Sequence, residues 1–400
     1  MTEQHTAMTD PEEFGVYVHI PFCRARCDYC AFATYTDRDH LMEEYAWACV
    51  REIEKARESG ELPKATSVFF GGGTPSRLGA ELLVSVLDAV ERAPGAEVTV
   101  ECNPEDVTPE RLAAYRLGGV TRLSLGVQST VPHVLASLGR RHGVEQVTEA
   151  GAAVAGGGVR SWNMDLIFGG AGEDDLDWER TLAEVLALTD PPPHISAYAL
   201  TVEPGTPLAR HPDRHPDDDT QARRYERADA LLEQAGYRWE EISNWARPGH
   251  ECRHNRLYWR QGDYRGIGSA AHSHRDGRRW WNVRTPDRYV SLIKAGRSVT
   301  AAEEVLTESE RRFEGLSLAL RTRTGVPSDS LPDEEDLEGL VERAGGRAVL
   351  TVRGRLLANA VSARLDTGPT AGRPGVAGAI RTASVGDREP TPAGTMRTYV

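Results

Sequence analysis

No apolar stretch of this chain approaches the roughly 20 residues that a bilayer-spanning helix requires, so membrane helices are not expected. The opening segment MTEQHTAMTDPEEFG is polar and acidic. It lacks the charged-then-apolar order of a secretory signal. Positive charge is in deficit: 47 Lys and Arg against 60 Asp and Glu leave a net charge of −13. That argues against a nucleic-acid partner, whose binding surface is ordinarily basic. Cysteine is sparse, with Cys23, Cys27, Cys30, Cys49, Cys102 and Cys252 the only six in 400 residues. They form no dense disulfide framework, and a reducing cytoplasm is the expected setting because thiolates stay available there as ligands. A dinucleotide glycine fingerprint is also missing from the first loop, which argues against an open doubly wound sheet.

Half of those cysteines crowd into HIPFCRARCDYCAF as C-x3-C-x2-C. Zinc sites usually pair two knuckles, and no second knuckle follows here. A [4Fe–4S] cluster wants one ligand per iron. Three thiolates leave one iron open to a small molecule carrying an amine and a carboxylate. Cys23, Cys27 and Cys30 are therefore the candidate cluster ligands.

Short β-branched runs recur along the first half: VYVHI at 16–20, SVFF at 67–70, EVTVE at 97–101, RLSLGV at 122–127, NMDLIF at 163–168 and HISAYAL at 194–200. Segments of helical periodicity separate them, which predicts βα units and a parallel sheet. Chemistry-bearing residues follow each strand rather than precede it, as in a (β/α) barrel. Six units predict an α/β fold with a partial (β/α)6 barrel. The expected organisation is a flexible N-terminus over 1–13, the barrel over 14–245, and a His- and aromatic-rich segment over 246–300 of irregular structure with short strands. A small helical, winged-helix-like domain is expected over 301–366, and a disordered tail rich in Gly, Pro, Ala and Thr over 367–400.

At the predicted rim, GGGTPS (Gly71–Ser76) permits close backbone approach to a ligand. Glu101, Gln128, Arg140 and Asp165 lie near the same rim, where they would hold a ribose and the charged ends of a ligand. His19 is expected to pack or hydrogen-bond locally. Farther along, HNRLYW (His254–Trp259) reads on its own residues as a buried histidine and aromatic pair fixing an irregular segment, with a histidine ligand for heme iron as the alternative. It also brings the aromatics Tyr258 and Trp259, with Arg253, Arg256 and Arg260 for propionates. His250, His272, His274 and Cys252 compete with His254 for that role, and spacing does not decide among them.

The set YVHIPFCRARCDYC, FFGGGTPS, ECNP, RLSLGVQS, LGRRH, NMDLIFG, HISAYALTVEPGTPL, ISNWARPGHECRHNRLYW and GIGSAAHSH resembles the radical S-adenosylmethionine superfamily. Within it, the resemblance over roughly residues 14 to 366 is to the oxygen-independent coproporphyrinogen III oxidase group. The resemblance implies that Cys23, Cys27 and Cys30 hold the cluster. It implies that Tyr17, Tyr29, Gly72, Gly73, Thr74, Glu101, Gln128, Arg140, Asp165 and Ala199 contact S-adenosylmethionine.

Two branches of that group differ in ways visible here. The oxidase branch carries a fourth cysteine two residues after the third, where this chain has Phe32, and a longer segment before the cluster motif. Both departures resemble the sister branch, the HemW-type heme chaperones, whose HNxxYW motif matches His254–Trp259. The resemblance then implies heme bound through His254 and passed to apo-hemoproteins, respiratory ones at the inner face of the membrane. It also implies a homodimer. The alternative is oxidative decarboxylation of coproporphyrinogen propionates. Two loops depart from the family pattern: Gly170-Ala171-Gly172-Glu173 replaces Leu-Pro-Gly-Gln, and Ser269-Ala270 replaces Pro-Gly.

Overall fold

The computed structural model describes residues 13–366. The flexible leader and disordered tail expected at the two ends fall on residues outside that range, Glu13 apart. Parallel strands form at all six predicted places: β1 (Phe14–Ile20), β2 (Ala65–Gly72), β3 (Arg92–Cys102), β4 (Arg122–Gln128), β5 (Ser161–Phe168) and β6 (His194–Ala199). They are neighbours in that order. The helices between them are α1 (Met42–Glu58), α2 (Ala80–Ala89), α3 (Pro109–Leu117), α4 (Pro132–Ser137), α5 (Val144–Gly156) and α6 (Asp175–Leu186). After β6 comes α7 (Asp218–Gln234).

Alternation along the strands explains the layering. Val16, Val18, Ile20, Val68, Phe70, Val98, Val100, Leu123, Leu125, Met164, Leu166 and Ile195 are all buried in one apolar core with the helices. Each such side chain contributes about 1.5–3 kcal/mol by leaving water. Because strand side chains alternate between faces, the residues between them share the opposite face. These are Tyr17, His19, Ser67, Phe69, Thr99, Glu101, Ser124, Asn163, Asp165 and Ser196. The interior of the curved sheet is thus largely polar, which a buried core would not tolerate without hydrogen-bond partners.

Beyond residue 237 short strands form, as expected, and they join the main sheet rather than standing in irregular structure. The hairpin β7 (Arg238–Glu241) and β8 (Asn244–Ala246) pairs antiparallel onto β6. HNRLYW forms a short helix, α8 (Arg253–Trp259). The chain then reaches the other side of the sheet, where β9 (Asp263–Ile267) pairs parallel to β1. Strands β10 (His272–Arg275), β11 (Arg278–Asn282) and β12 (Thr300–Val305) extend that edge antiparallel, with α9 (Pro286–Lys294) between the last two. The result is one twelve-stranded sheet whose two edge strands are β12 and β7. Residues 300–305 therefore belong to this sheet rather than opening the last unit.

That unit comprises α10 (Glu308–Leu320), a small antiparallel sheet of β13 (Val326–Pro327), β14 (Val341–Ala344) and β15 (Arg347–Leu350), then α11 (Val352–Leu356) and α12 (Ala358–Ser362). It has its own core of Leu320, Val326, Leu331, Leu350 and Val361. It docks on the β7 side, where Arg355 lies over the Trp239 ring at 3.8 Å and pairs with Asp229 at 2.7 Å.

Glu52 fastens the added strands to the barrel. From α1, its buried carboxylate accepts from Gly268 N (2.9 Å), Tyr289 OH (2.7 Å), Asn282 Nδ2 (2.9 Å) and Arg265 Nη2 (3.3 Å). Removing one member of a buried, hydrogen-bonded ion pair typically costs about 3–5 kcal/mol. Glu52→Ala is expected to destabilise the protein by about that amount in chemical denaturation. A loss under about 1 kcal/mol, within the range of an ordinary surface change, would contradict this role.

Candidate functional site

The cysteine loop leaves the C-terminal end of β1 and is held in place on several sides. Cys23 N donates to Tyr35 O (3.0 Å) and Tyr35 N to Pro21 O (2.7 Å), closing the loop on itself. Arg24 pairs with the buried Asp106 at 2.8 Å, and Asp28 pairs with Arg214 at 3.0 Å. Asp106 also accepts from Ser76 Oγ at 2.9 Å. Loops bearing reactive groups work best when such contacts fix them in advance.

A continuous chain of side chains links two of the thiols across three strand ends. Cys23 Sγ lies 3.6 Å from Thr74 Oγ1, and Thr74 Oγ1 accepts from Asn103 Nδ2 at 3.4 Å. Asn103 Oδ1 in turn accepts from Arg140 Nη2 at 2.7 Å. Arg140 Nη1 lies 3.6 Å from Cys27 Sγ, and its Nη2 also donates to Gly126 O at 2.7 Å. Burial pushes the Cys23 thiol up to about 11, opposed by its bond to Thr74. The Tyr29 phenol is pushed well up, by burial first and then by Cys27 beside it. Cys49, Cys102 and Cys252 are buried elsewhere.

Below this rim the remaining predicted contacts face one another. Gly72 N donates to Glu101 Oε2 at 3.2 Å. Gly72 sits at φ 111°, and a Cβ there would stand 2.4 Å from the His19 ring, so only glycine fits. At Gly73 an added Cβ would meet Phe22 O at 2.8 Å and Ile20 O at 2.9 Å. Asp165 accepts from Ser124 Oγ and from Asn163 Nδ2, both at 2.9 Å. Burial and the neighbouring Asp165 carboxylate raise Glu101 to about 8, and burial also raises Asp165. Two carboxyls held close favour a site that receives hydroxyls or a cation. Gln128 adopts φ 68°, a strained backbone for a non-glycine residue and a frequent mark of functional positions. Ala199, exposed, ends β6 opposite Phe168. Tyr17 OH and His19 Nδ1 are 3.1 Å apart, and His19 Nε2 is 3.0 Å from Ala33 O. His19 thus ties Tyr17 to the cysteine loop.

His254 lies at the other end of the barrel. The chain must cross from β8 to β9, and residues 250–260 make that crossing under the strand beginnings. Arg122, at the start of β4, donates to His250 O (2.9 Å), and Glu97 of β3 accepts from His254 N (3.1 Å). Ser67 of β2 bonds His254 Nδ1 (2.9 Å), Leu257 packs on Gly15 of β1, and Arg260 reaches Glu13 (3.0 Å). The His254 ring is 1% exposed and stacks on Phe69 at 5.3 Å, and its Nε2 is bonded to Tyr258 OH at 2.8 Å. Burial lowers its pKa to about 3. Helix α8 is the floor of the barrel, and both nitrogens of His254 are engaged there. Arg253 donates to Gly95 O, Arg256 approaches Glu240 at 4.0 Å, and Trp259 is buried.

Of the two departures from the family pattern, Glu173 is compensated. Its carboxylate accepts from Gly169 N and Gly170 N and pairs with Arg224 at 2.8 Å. Ala270 is not: it takes φ 56° where the family pattern has glycine, a conformation costing about 1–2 kcal/mol for a residue with a Cβ.

Known proteins are similar to this chain in sequence and in fold. Residues 17–185 match the family model described as the Radical SAM superfamily. The heme chaperone HemW of Mycobacterium tuberculosis (strain ATCC 25618 / H37Rv) is 43% identical, over 88% of this chain and 94% of that protein. The heme chaperone HemW of Escherichia coli (strain K12) is 33% identical, over 87% and 96%. The coproporphyrinogen III oxidase HemN of Escherichia coli superposes with a TM-score of 0.76 over 88% of this chain and 89% of that one. At 22% identity that likeness shows the fold alone. The fold and rim define a radical S-adenosylmethionine protein, and the chain belongs to the HemW family within that superfamily.

The superfamily implies a [4Fe–4S] cluster and S-adenosylmethionine, and the residues present fit both. Among the described residues no three His, Cys, Asp or Glu side chains are spaced for a single metal ion. The buried Nε of Arg140, beside Cys27, has no partner of its own. None of the described helices is long and apolar enough to cross a membrane.

The Glu101 carboxyl has a testable consequence. A raised folded pKa contributes stability below the unfolded value of 4.5, which is lost as pH rises through about 8. Without ligand, the melting temperature is expected to fall between about pH 4.5 and pH 8 and to level off above that, as far as this group is concerned. Glu101→Gln, which cannot ionise, is expected to flatten that fall. Identical pH profiles for the two proteins would contradict the assignment.

Proposed function

We propose that this protein carries heme and passes it to apo-hemoproteins, respiratory ones among them, while holding a [4Fe–4S] cluster and S-adenosylmethionine. The observation that carries this reading is the near end-to-end similarity to proteins named heme chaperones, up to 97% of their length. Phe32 supports it. At 41% exposure it presents an apolar ring in the cysteine loop, where the oxidase pattern has a fourth thiol.

In this reading Cys23, Cys27 and Cys30 ligate the cluster, which when bound supplies a reducing electron and an open iron. Arg140 balances thiolate charge through its contact with Cys27, and Asn103 fixes the guanidinium. Gly72, Gly73 and Thr74 let the backbone approach the amino-acid end of S-adenosylmethionine. Glu101, Asp165 and Gln128 receive its ribose and cationic parts, and Tyr17, Tyr29 and Ala199 line the remainder. The His254 helix closes the floor beneath. The setting is the cytoplasm, with recipients at the inner face of the membrane and two copies of the chain as the working unit.

The test uses anaerobically reconstituted full-length protein loaded with heme and mixed with an apo-cytochrome. The expected result is appearance of the holo-cytochrome spectrum. A parallel reaction with coproporphyrinogen III, S-adenosylmethionine and reductant is expected to yield no decarboxylated porphyrin, and Phe32→Cys is expected not to create that activity. Decarboxylated product from the wild type, or failure to transfer heme, would overturn the reading.

A further inference from the structure

The heme reading leaves open which side chain meets the iron, and the structure separates the histidines of residues 246–300 sharply. An axial imidazole needs a free ring nitrogen that heme can reach. His254 has neither a free nitrogen nor exposure. His274 is buried, its Nδ1 2.9 Å from Gly262 O and its Nε2 accepting from Gly277 N at 3.1 Å. His250 keeps one nitrogen on Ser161 Oγ at 3.0 Å and lies at the floor, away from the rim. Cys252 is buried there too, 3.7 Å from Glu97 Oε1.

His272 differs on each count. It is exposed, and neither ring nitrogen makes a hydrogen bond among the described residues. It stands directly across from Trp281 in the β10–β11 ladder, and the two rings stack at 5.5 Å with planes 20° apart. Neighbouring Ser273 and Trp280 are buried on the outer face, and Tyr264, opposite His274, pairs with Gly15 of β1. Alternation therefore places His272 on the inner face with Tyr17 and Glu101. It is near enough to His19 to disfavour charge on that ring. Three residues beyond Trp281 comes the exposed Arg284, whose carbonyl accepts from Tyr35 OH of the cysteine loop at 3.4 Å. A guanidinium there suits a propionate.

We infer that His272 is the axial ligand for heme iron, that stacking on Trp281 holds its ring with a nitrogen turned into the open barrel, and that His254 is a positioning residue of the floor. The assignment rests on the heme-carrier reading. It puts the cargo on the sheet edge beside the cysteine loop and makes the effect of the HNRLYW helix indirect.

The test is a hemin titration of the cluster-loaded full chain, so that the cluster thiolates are occupied, read by absorption and electron paramagnetic resonance. Wild type is expected to bind with a histidine-ligand spectrum. His272→Ala is expected to weaken binding at least ~10-fold and lose that signature. His272→Met is expected to retain heme with an altered spectrum, which a folding defect would not produce. His254→Gln is expected to lower the melting temperature while the folded protein keeps the wild-type heme spectrum. An unchanged spectrum and affinity in His272→Ala would overturn the assignment, as would loss of the histidine signature in folded His254→Gln. If wild type binds no heme, the carrier reading itself fails and the assignment falls with it. That outcome is separable because it appears before any substitution is made.

Discussion

The structure depends on one alternation. Along β1 to β6, most residues at every second position are aliphatic or aromatic and pack under the helices, while most of those between are polar. A single-residue slip of register would exchange the two faces, burying Glu101 and Asp165 under helices and turning Val and Leu into the barrel. The apolar set therefore does two things. It supplies the burial that stabilises the sheet, and it holds the polar set inward around a shared space. Ser124, Asn163 and Asp165 hydrogen-bond one another across β4 and β5, and Asn163 continues to His194 at 2.7 Å. This network stiffens the interior around it, which suits a surface meant to present fixed groups to a ligand.

The two ends of that space have different characters because of how the chain enters and leaves it. At the C-terminal ends the loops are built from glycine, cysteine and short polar residues, and they reach each other through Thr74, Asn103 and Arg140. At the N-terminal ends the chain must pass from one sheet edge to the other, and residues 250–260 close the opening as they go. The floor is thus a by-product of topology that became a packed and hydrogen-bonded element. The open rim gathers the predicted cluster and ligand contacts, at the end where barrels of parallel strands carry their sites.

Much of this was legible in the sequence. The strands were readable because each is a short buried run flanked by glycine or proline. The rim residues were readable because they follow those runs. The floor was legible only in part: HNRLYW reads either as a ligand set or as a buried packing pair, and nothing local reveals that His254 bonds to Ser67, 187 positions away. Strand β9 escaped notice because GDYRGIG has the glycine content of a loop, yet Gly266 is what lets β10 approach closely. Asn103 was visible only as part of ECNP. An asparagine after a strand ordinarily reads as turn chemistry, and its bridging of Thr74 to Arg140 needs three loops in place.

The central claim is that three thiols of one loop, and only those, are poised to hold a four-iron cluster over a polar barrel. The direct measurement is iron and sulfide content with Mössbauer spectra after anaerobic reconstitution, for each of the six single cysteine-to-alanine proteins. The account predicts about four irons per chain in the wild type and in the Cys49, Cys102 and Cys252 replacements. It predicts loss or degradation of the cluster in the Cys23, Cys27 and Cys30 replacements. A full cluster in any of the latter three, or its loss on replacing Cys252 in a folded protein, would contradict it.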